Sequence, residues 1–358
     1  MKHILFKYPQ YPYVNLGDFV QTIAVEHVLN TLGIQEKDFV FHNRDCLSSY
    51  NNEDALCIMQ GWFSNSRDWI PSNKVTPIFA SIHLAKNARE FCKNEPVLNY
   101  MKHYSPIGCR DISTLEFIKS HGIDGYFSRC LTITLPKRKN TPQKEKIFMV
   151  NVPNKLHKFI PKEILDKAEF INQKRTFTSA EDNAYLAYIQ QTRDLLNRYE
   201  NEATLIITTA LHCASPCTAM GIPVVFINPD NTNPTFDRFQ AISDIIPAYT
   251  EYDLKSKNVD WVPSVPDIED LKSLMIKNIQ LTLVSIEDSN NQELKFEIQH
   301  IRNAIGKKRT TFHLIKKNPT PIKSFLMNRL YCIYSSLLKI KYLQKTLRFL
   351  KKVLISHA

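Results

Sequence analysis

Between Leu205 and Ile227 the chain compresses a buried strand, a polar turn, a small-residue helix and a second buried strand. Leu205–Thr208 and Pro223–Ile227 are β-branched runs without polar alternation, as in strands covered on both faces. The segment between them carries His212, then Ala214, Ser215 and Ala219, and ends at Gly221, where a helix commonly stops. Strands alternating with helices point to a parallel α/β layer. The fold class expected is therefore α/β.

The first 135 residues repeat this alternation. His3–Lys7, Ala55–Gln60 and Thr76–Ser81 read as strands, and Asp18–Leu32 as a helix with Phe19, Ile23, Val28 and Leu32 near helical spacing. Ser113–His121 reads as a short helix with a Ser/Thr start and Gly122 behind it. Residues 136–146 hold two prolines and almost nothing apolar, which marks a linker. Ile147–Val152 opens a second α/β unit, a long helix is expected around Ala180–Tyr199, and 266–305 look helical. Two α/β domains follow, 1–140 and 141–312, then a tail, 313–358.

Charge separates tail from body. The chain has 46 Lys+Arg and 35 Asp+Glu, yet from Arg302 onward there are 14 Lys/Arg and no acid. The remaining 32 basic residues face all 35 acidic ones, so the body is slightly acidic. A phosphate-binding groove would spread cations over the folded domain, so no nucleic-acid partner is expected. The eight cysteines form no C-x-x-C pair, which argues against zinc and for a reducing compartment. Neither a metal nor a cofactor is expected. No apolar run is long enough for a signal peptide or a membrane span, so the body is expected in the cytoplasm.

In open parallel sheets ligands bind beyond the carboxyl ends of the strands, and the polar residues there are the site candidates. Asn15, Gly17 and Asp18 open the first helix, with Gln21 one turn on; turn-and-cap and ligand contact are both open to them. Gln60-Gly61-Trp62 offers an indole for a sugar, or a core side chain. His83 ends another strand, as a structural or a catalytic imidazole. Arg110, after Gly108, suits a carboxylate or phosphate, or a pair with Asp111. His212 stands where a strand hands over to a helix whose small residues allow an anion near its N–H groups.

Taken together, Asn15-x-Gly17-Asp18-x-x-Gln21, Gly61-Trp62, Gly108-x-Arg110-Asp111-x-Ser113-Thr114, Phe127-Ser128-Arg129-Cys130-Leu131-Thr132 and the stretch through His212 to Gly221-Ile222-Pro223-Val224-Val225 resemble the polysaccharide pyruvyl transferase family. The resemblance spans roughly residues 13–227. It implies a glycosyltransferase-B-like pair of Rossmann-type domains that moves pyruvate from phosphoenolpyruvate to a sugar of a surface glycan, or its lipid-linked precursor, as a cyclic ketal. It implies catalytic roles for His212, Asp18 and His83, and donor binding by Arg110, Arg129, Asn15, Gly17, Leu211 and Ser215. Trp62 would meet the acceptor. Many members carry Arg where this chain has Ala210, so another cation, Arg110 or Arg129, would have to grip the donor. Two alternatives stay open: a nucleotide-sugar glycosyltransferase on the same architecture in capsule or lipopolysaccharide synthesis, and a tethered glycan-binding protein without catalysis.

In the tail, a helical wheel over 339–354 puts Lys341, Lys345, Arg348, Lys351 and Lys352 on one arc. Ile340, Tyr342, Leu343, Leu347, Phe349, Leu350, Val353 and Leu354 fill the other, with Lys339 the exception. That is the pattern of a basic amphipathic helix on an anionic membrane surface. Residues 319–358 would thus hold the enzyme at the inner face of the membrane, unless the helix packs on the body or binds a partner.

Overall fold

The structure is a computed structural model. It describes residues 1–8, 13–63, 67–176, 182–228 and 234–309, with side chains at 182, 183 and 234–237 excepted. The tail expected at 313–358, and with it the helix of 319–358, lies outside the described residues.

Thirteen strands are assigned among the described residues: β1 Lys2–Lys7, β2 Tyr13–Asn15, β3 Phe39–Asn43, β4 Ala55–Trp62, β5 Val75–His83, β6 Ile107–Cys109, β7 Gly125–Phe127, β8 Ile147–Val150, β9 Ala168–Ile171, β10 Lys174–Thr176, β11 Leu205–Thr208, β12 Val224–Ile227 and β13 Ala248–Tyr249. A six-stranded sheet runs β3-β1-β4-β5-β6-β7 and a five-stranded sheet runs β13-β12-β11-β8-β9. Every pairing in both is parallel. The architecture is thus α/β of the Rossmann-like kind. The buried runs explain it: β4 is buried over seven successive positions, β8, β11 and β12 throughout, as sheets covered on both faces require.

Two helix starts differ from expectation. The first helix is Leu16–Thr31 and is capped by the Asn15 side chain, which accepts from Gly17 N, so Asp18 lies inside the first turn. The helix Ile112–Ser120 is capped by Asp111, which accepts from Thr114 N at 2.9 Å, rather than by a Ser or Thr. In both cases an amide or carboxylate earlier in the chain reaches the free N–H groups. Residues 136–146 contain no strand or helix, and Arg138 ties them to the second half through Met220 O and Ala203 O.

The halves are joined at several points. β2 pairs antiparallel with β10, Leu16 N donates to Gln173 O at 2.9 Å, and Arg193 reaches Glu26 at 2.6 Å. Phe19 meets Tyr188 at 6.0 Å between ring centroids in a core cluster continuous across both halves. This seam brings the carboxyl ends of the two sheets' strands to one cavity.

Candidate active site

From the first half come residues set by two close approaches. Gly17 opens the first helix against His212: a Cβ on Gly17 would lie 3.2 Å from that of His212. Gly61, at φ +97°, leaves room for Gln21, whose Oε1 would stand 3.0 Å from an added Cβ. Gln21 then donates to Asp18 Oδ1 at 3.4 Å and accepts from Arg110 Nη1 at 3.2 Å. Arg110 follows β6, is 1 % exposed, and its backbone N–H bonds Ile82 O.

From the second half, β11 runs into Thr209 and Ala210, and the helix Leu211–Ala219 follows. His212 sits in that first turn with ψ 19°, off the helical value. Asn151, at φ 54°, accepts from Gln173 N, and Thr209 Oγ1 donates to Asn151 O at 2.7 Å. These bonds knit the turns after β8, β9 and β11 into one floor.

A cavity of 670 Å³ opens between the halves, lined by Asn15, Gly17, Asp18, Arg44, Trp62, Arg110, Arg238, Leu211 and His212 among others. Arg110 Nη1 lies 3.3 Å from His212 Nε2. A guanidinium has no lone pair to offer, so Nε2 must accept and the imidazole proton sits on Nδ1. His212 Nδ1 is 3.9 Å from Asp18 Oδ1, an ion pair in waiting. Burial, then the charges of Arg110 and Arg238, hold the His212 pKa well below its ordinary value, although a Gly17 backbone hydrogen bond opposes them. The imidazole is therefore neutral at pH 7, a base with its lone pair engaged by a cation. Among the described residues no group of three or more His, Cys, Asp or Glu is arranged to hold a metal.

Seven of the ten residues singled out from the sequence line this cavity: Asn15, Gly17, Asp18, Trp62, Arg110, Leu211 and His212. The other three stand apart from its walls. His83 is 2 % exposed behind Trp62, ring centroids 5.6 Å apart, and its Nδ1 bonds Asp111 Oδ2 at 2.6 Å. Burial would raise the Asp111 pKa, but the His83 hydrogen bond overrides it and brings the carboxyl to about 2, so the neutral imidazole donates. Asp111 thus pairs with His83, not with Arg110. Arg129 is fully buried, grips Asp244 with both Nη atoms at 2.6 and 2.8 Å, and donates to Ile305 O and Lys307 O. Its guanidinium is saturated by protein. Ser215 is fully buried and accepts from Thr132 at 2.8 Å.

Sequence reasoning missed Arg44, Lys174 and Arg238 on the cavity wall. Arg44 directly follows β3, so the strand-end rule finds it once Phe39–Asn43 is read as a strand. Nothing local marks Arg238, which lies in the 3-10 helix Pro234–Ala241 between β12 and β13.

Comparison with known proteins adds one decisive match. The family model described as polysaccharide pyruvyl transferase matches residues 15–231, more than half of the chain. No curated protein sequence matches. A crystal structure of a functionally uncharacterized protein from Klebsiella pneumoniae subsp. pneumoniae NTUH-K2044 is similar at 16 % identity and a TM-score of 0.42, over 66 % of this chain and 86 % of that one.

Proposed function

The chain belongs to the polysaccharide pyruvyl transferase family, and from that premise we propose that it transfers pyruvate from phosphoenolpyruvate to two hydroxyls of one glycan sugar as a cyclic ketal. Membership makes it a transferase with a polysaccharide acceptor. The donor, the ketal chemistry and a glycosyltransferase-B-like arrangement of 1–140 and 141–312 are our reading. The observation that carries it is the pair Arg110–His212 at 3.3 Å in a cavity lined by three guanidiniums.

Phosphoenolpyruvate brings a carboxylate and a phosphate, for which guanidinium is the matching partner. An anion that draws Arg110 toward itself frees the Nε2 lone pair of His212. That nitrogen then takes the proton of the attacking sugar hydroxyl as its oxygen bonds C2 of the donor. The methylene carbon C3 takes that proton back from the His212 imidazolium and becomes methyl. The second hydroxyl oxygen attacks C2 while the bond from C2 to the phosphate oxygen breaks, and phosphate leaves with that electron pair and the second hydroxyl's proton. Asp18 is placed to stabilise the imidazolium formed in between. Trp62 offers the acceptor an apolar face.

The test is phosphate release from phosphoenolpyruvate that depends on an added glycan or lipid-linked glycan. Release of a nucleoside diphosphate from a sugar nucleotide, with none of phosphate, overturns the proposal in favour of a glycosyltransferase. For the membrane reading, support comes from the composition of 319–358 alone; no described helix is long and apolar enough to cross a membrane.

A further inference from the structure

Three arginines line the cavity, and they are not equivalent. Arg44 is neutralised: Nε and Nη2 bond the two carboxylate oxygens of Asp45 at 2.9 and 3.2 Å. Arg110 has only uncharged partners, Gln21 and His212, and its Nε is buried without a hydrogen bond. Arg238 lies with its guanidinium carbon 5.1 Å from the centre of the Trp62 ring, and its Nε is likewise buried and unsatisfied. Among the described residues neither Arg110 nor Arg238 has a carboxylate at ion-pair distance, and Asp18 is the one acid on the cavity wall.

A buried and a half-buried cation facing one cavity without matching anions cost free energy unless a ligand supplies the charge. Burial first, then Arg110, bring the Arg238 pKa down to about 10, against the pull of Asp18, so it stays charged at pH 7. The two come from opposite halves, Arg110 after β6 and Arg238 after β12. At Ala210, the cavity position before the His212 turn, only a methyl group is offered. Arg129, the other cation considered from the sequence, is taken up by Asp244.

We propose that Arg238 is the second anion-gripping cation of the cavity, engaging one anionic group of the donor while Arg110 engages the other. As to the donor's identity this rests on the pyruvyl-transfer reading. A ligand with one anionic group leaves one guanidinium bare, so the pair selects a donor charged at two points. Trp62 holds the Arg238 side chain through a cation–π contact.

Titration calorimetry of the full chain with phosphoenolpyruvate, on wild type, Arg238→Gln and Arg238→Lys, tests the pair. Arg238→Gln is expected to weaken binding about tenfold or more, as for loss of a charged hydrogen-bonding partner, and to flatten its salt dependence. Arg238→Lys recovers part of both, which a merely structural stack on Trp62 would not. Wild-type affinity and KM in Arg238→Gln overturn the inference while leaving pyruvyl transfer standing. If wild type releases no phosphate from phosphoenolpyruvate, the transfer reading falls instead. Inorganic pyrophosphate, charged at both ends, then probes the cations: loss of its binding in Arg238→Gln sustains the pair, and unchanged binding sinks it.

Discussion

At the scale of single residues the site turns on one imidazole and the cation beside it. Replacing His212 by Gln keeps a polar side chain of similar volume but removes the titrating nitrogen. Acceptor-dependent phosphate release is expected to drop by roughly 10²–10⁴, the usual contribution of a positioned acid–base, with the unfolding midpoint held. Near-wild-type turnover would remove His212 from the mechanism. Burial also lowers the His83 pKa, as it does that of His212. The unfolded chain therefore binds more protons than the folded one just below pH 6.5, and stability falls as pH drops through that value. In urea titrations between pH 7 and 5, His212→Gln should soften this loss; an identical slope would show that His212 is protonated in the folded state. His212 and Arg110 were legible because each lies just past a strand-like run, and Asp18 because it stands beside Gly17 at the opening of a helix. Arg238 was not, because its meaning comes from Trp62 and Arg110, far away in sequence.

Elements position these groups through places where backbone meets backbone. Gly108 in β6 is the clearest: an added Cβ would stand 2.6 Å from Phe79 O and 2.8 Å from Ala80 C, both main-chain atoms of β5. Gly108→Ala must therefore push β6 off β5 and carry Arg110 with it. A destabilisation of about 1–3 kcal/mol by chemical denaturation is expected, with donor affinity reduced in the protein that still folds. Wild-type stability would mean that the sheet edge yields freely. The buried strands could be read from the sequence because continuous apolar runs announce them. Edge strands β3, β9 and β13 are half-exposed and carry no such signal, and β2 with β10 exist as strands through pairing with each other. Two caps went to Asn15 and Asp111 for a similar reason. Several polar residues adjoin each helix start, and the backbone angle of the incoming chain selects among them.

Over the whole molecule, Arg129 acts as a clamp. It joins the end of β7 to Asp244 and to the close of the helix Gln292–Gly306 through Ile305 O and Lys307 O. Arg129→Met leaves the part-buried Asp244 without its cation, holding the Arg309 backbone N–H, and a loss of about 3 kcal/mol is expected in urea unfolding. The folded fraction should keep its donor KM, because the clamp does not reach the cavity; a raised KM with unchanged stability would return Arg129 to donor binding. A second test at this scale concerns residues 319–358. A chain ending at Asn318 is expected to lose binding to anionic liposomes while keeping phosphate release on a soluble acceptor, and undiminished liposome binding would place the contact elsewhere.

By itself the sequence determined the parallel α/β class, the position along the chain of the buried strands, the family, and the candidate residues Asn15, Asp18, Arg110 and His212. Those properties depend on short-range patterns: apolar runs, turn glycines and motif spacing. Tertiary structure alone decided which of those residues meet. It locked Arg129 to Asp244 and His83 to Asp111, set the His212 proton on Nδ1, and brought Arg44 and Arg238 to the same cavity. The physical reason is charge. A guanidinium takes its role from the carboxylates within reach, and in this fold those come from distant parts of the chain.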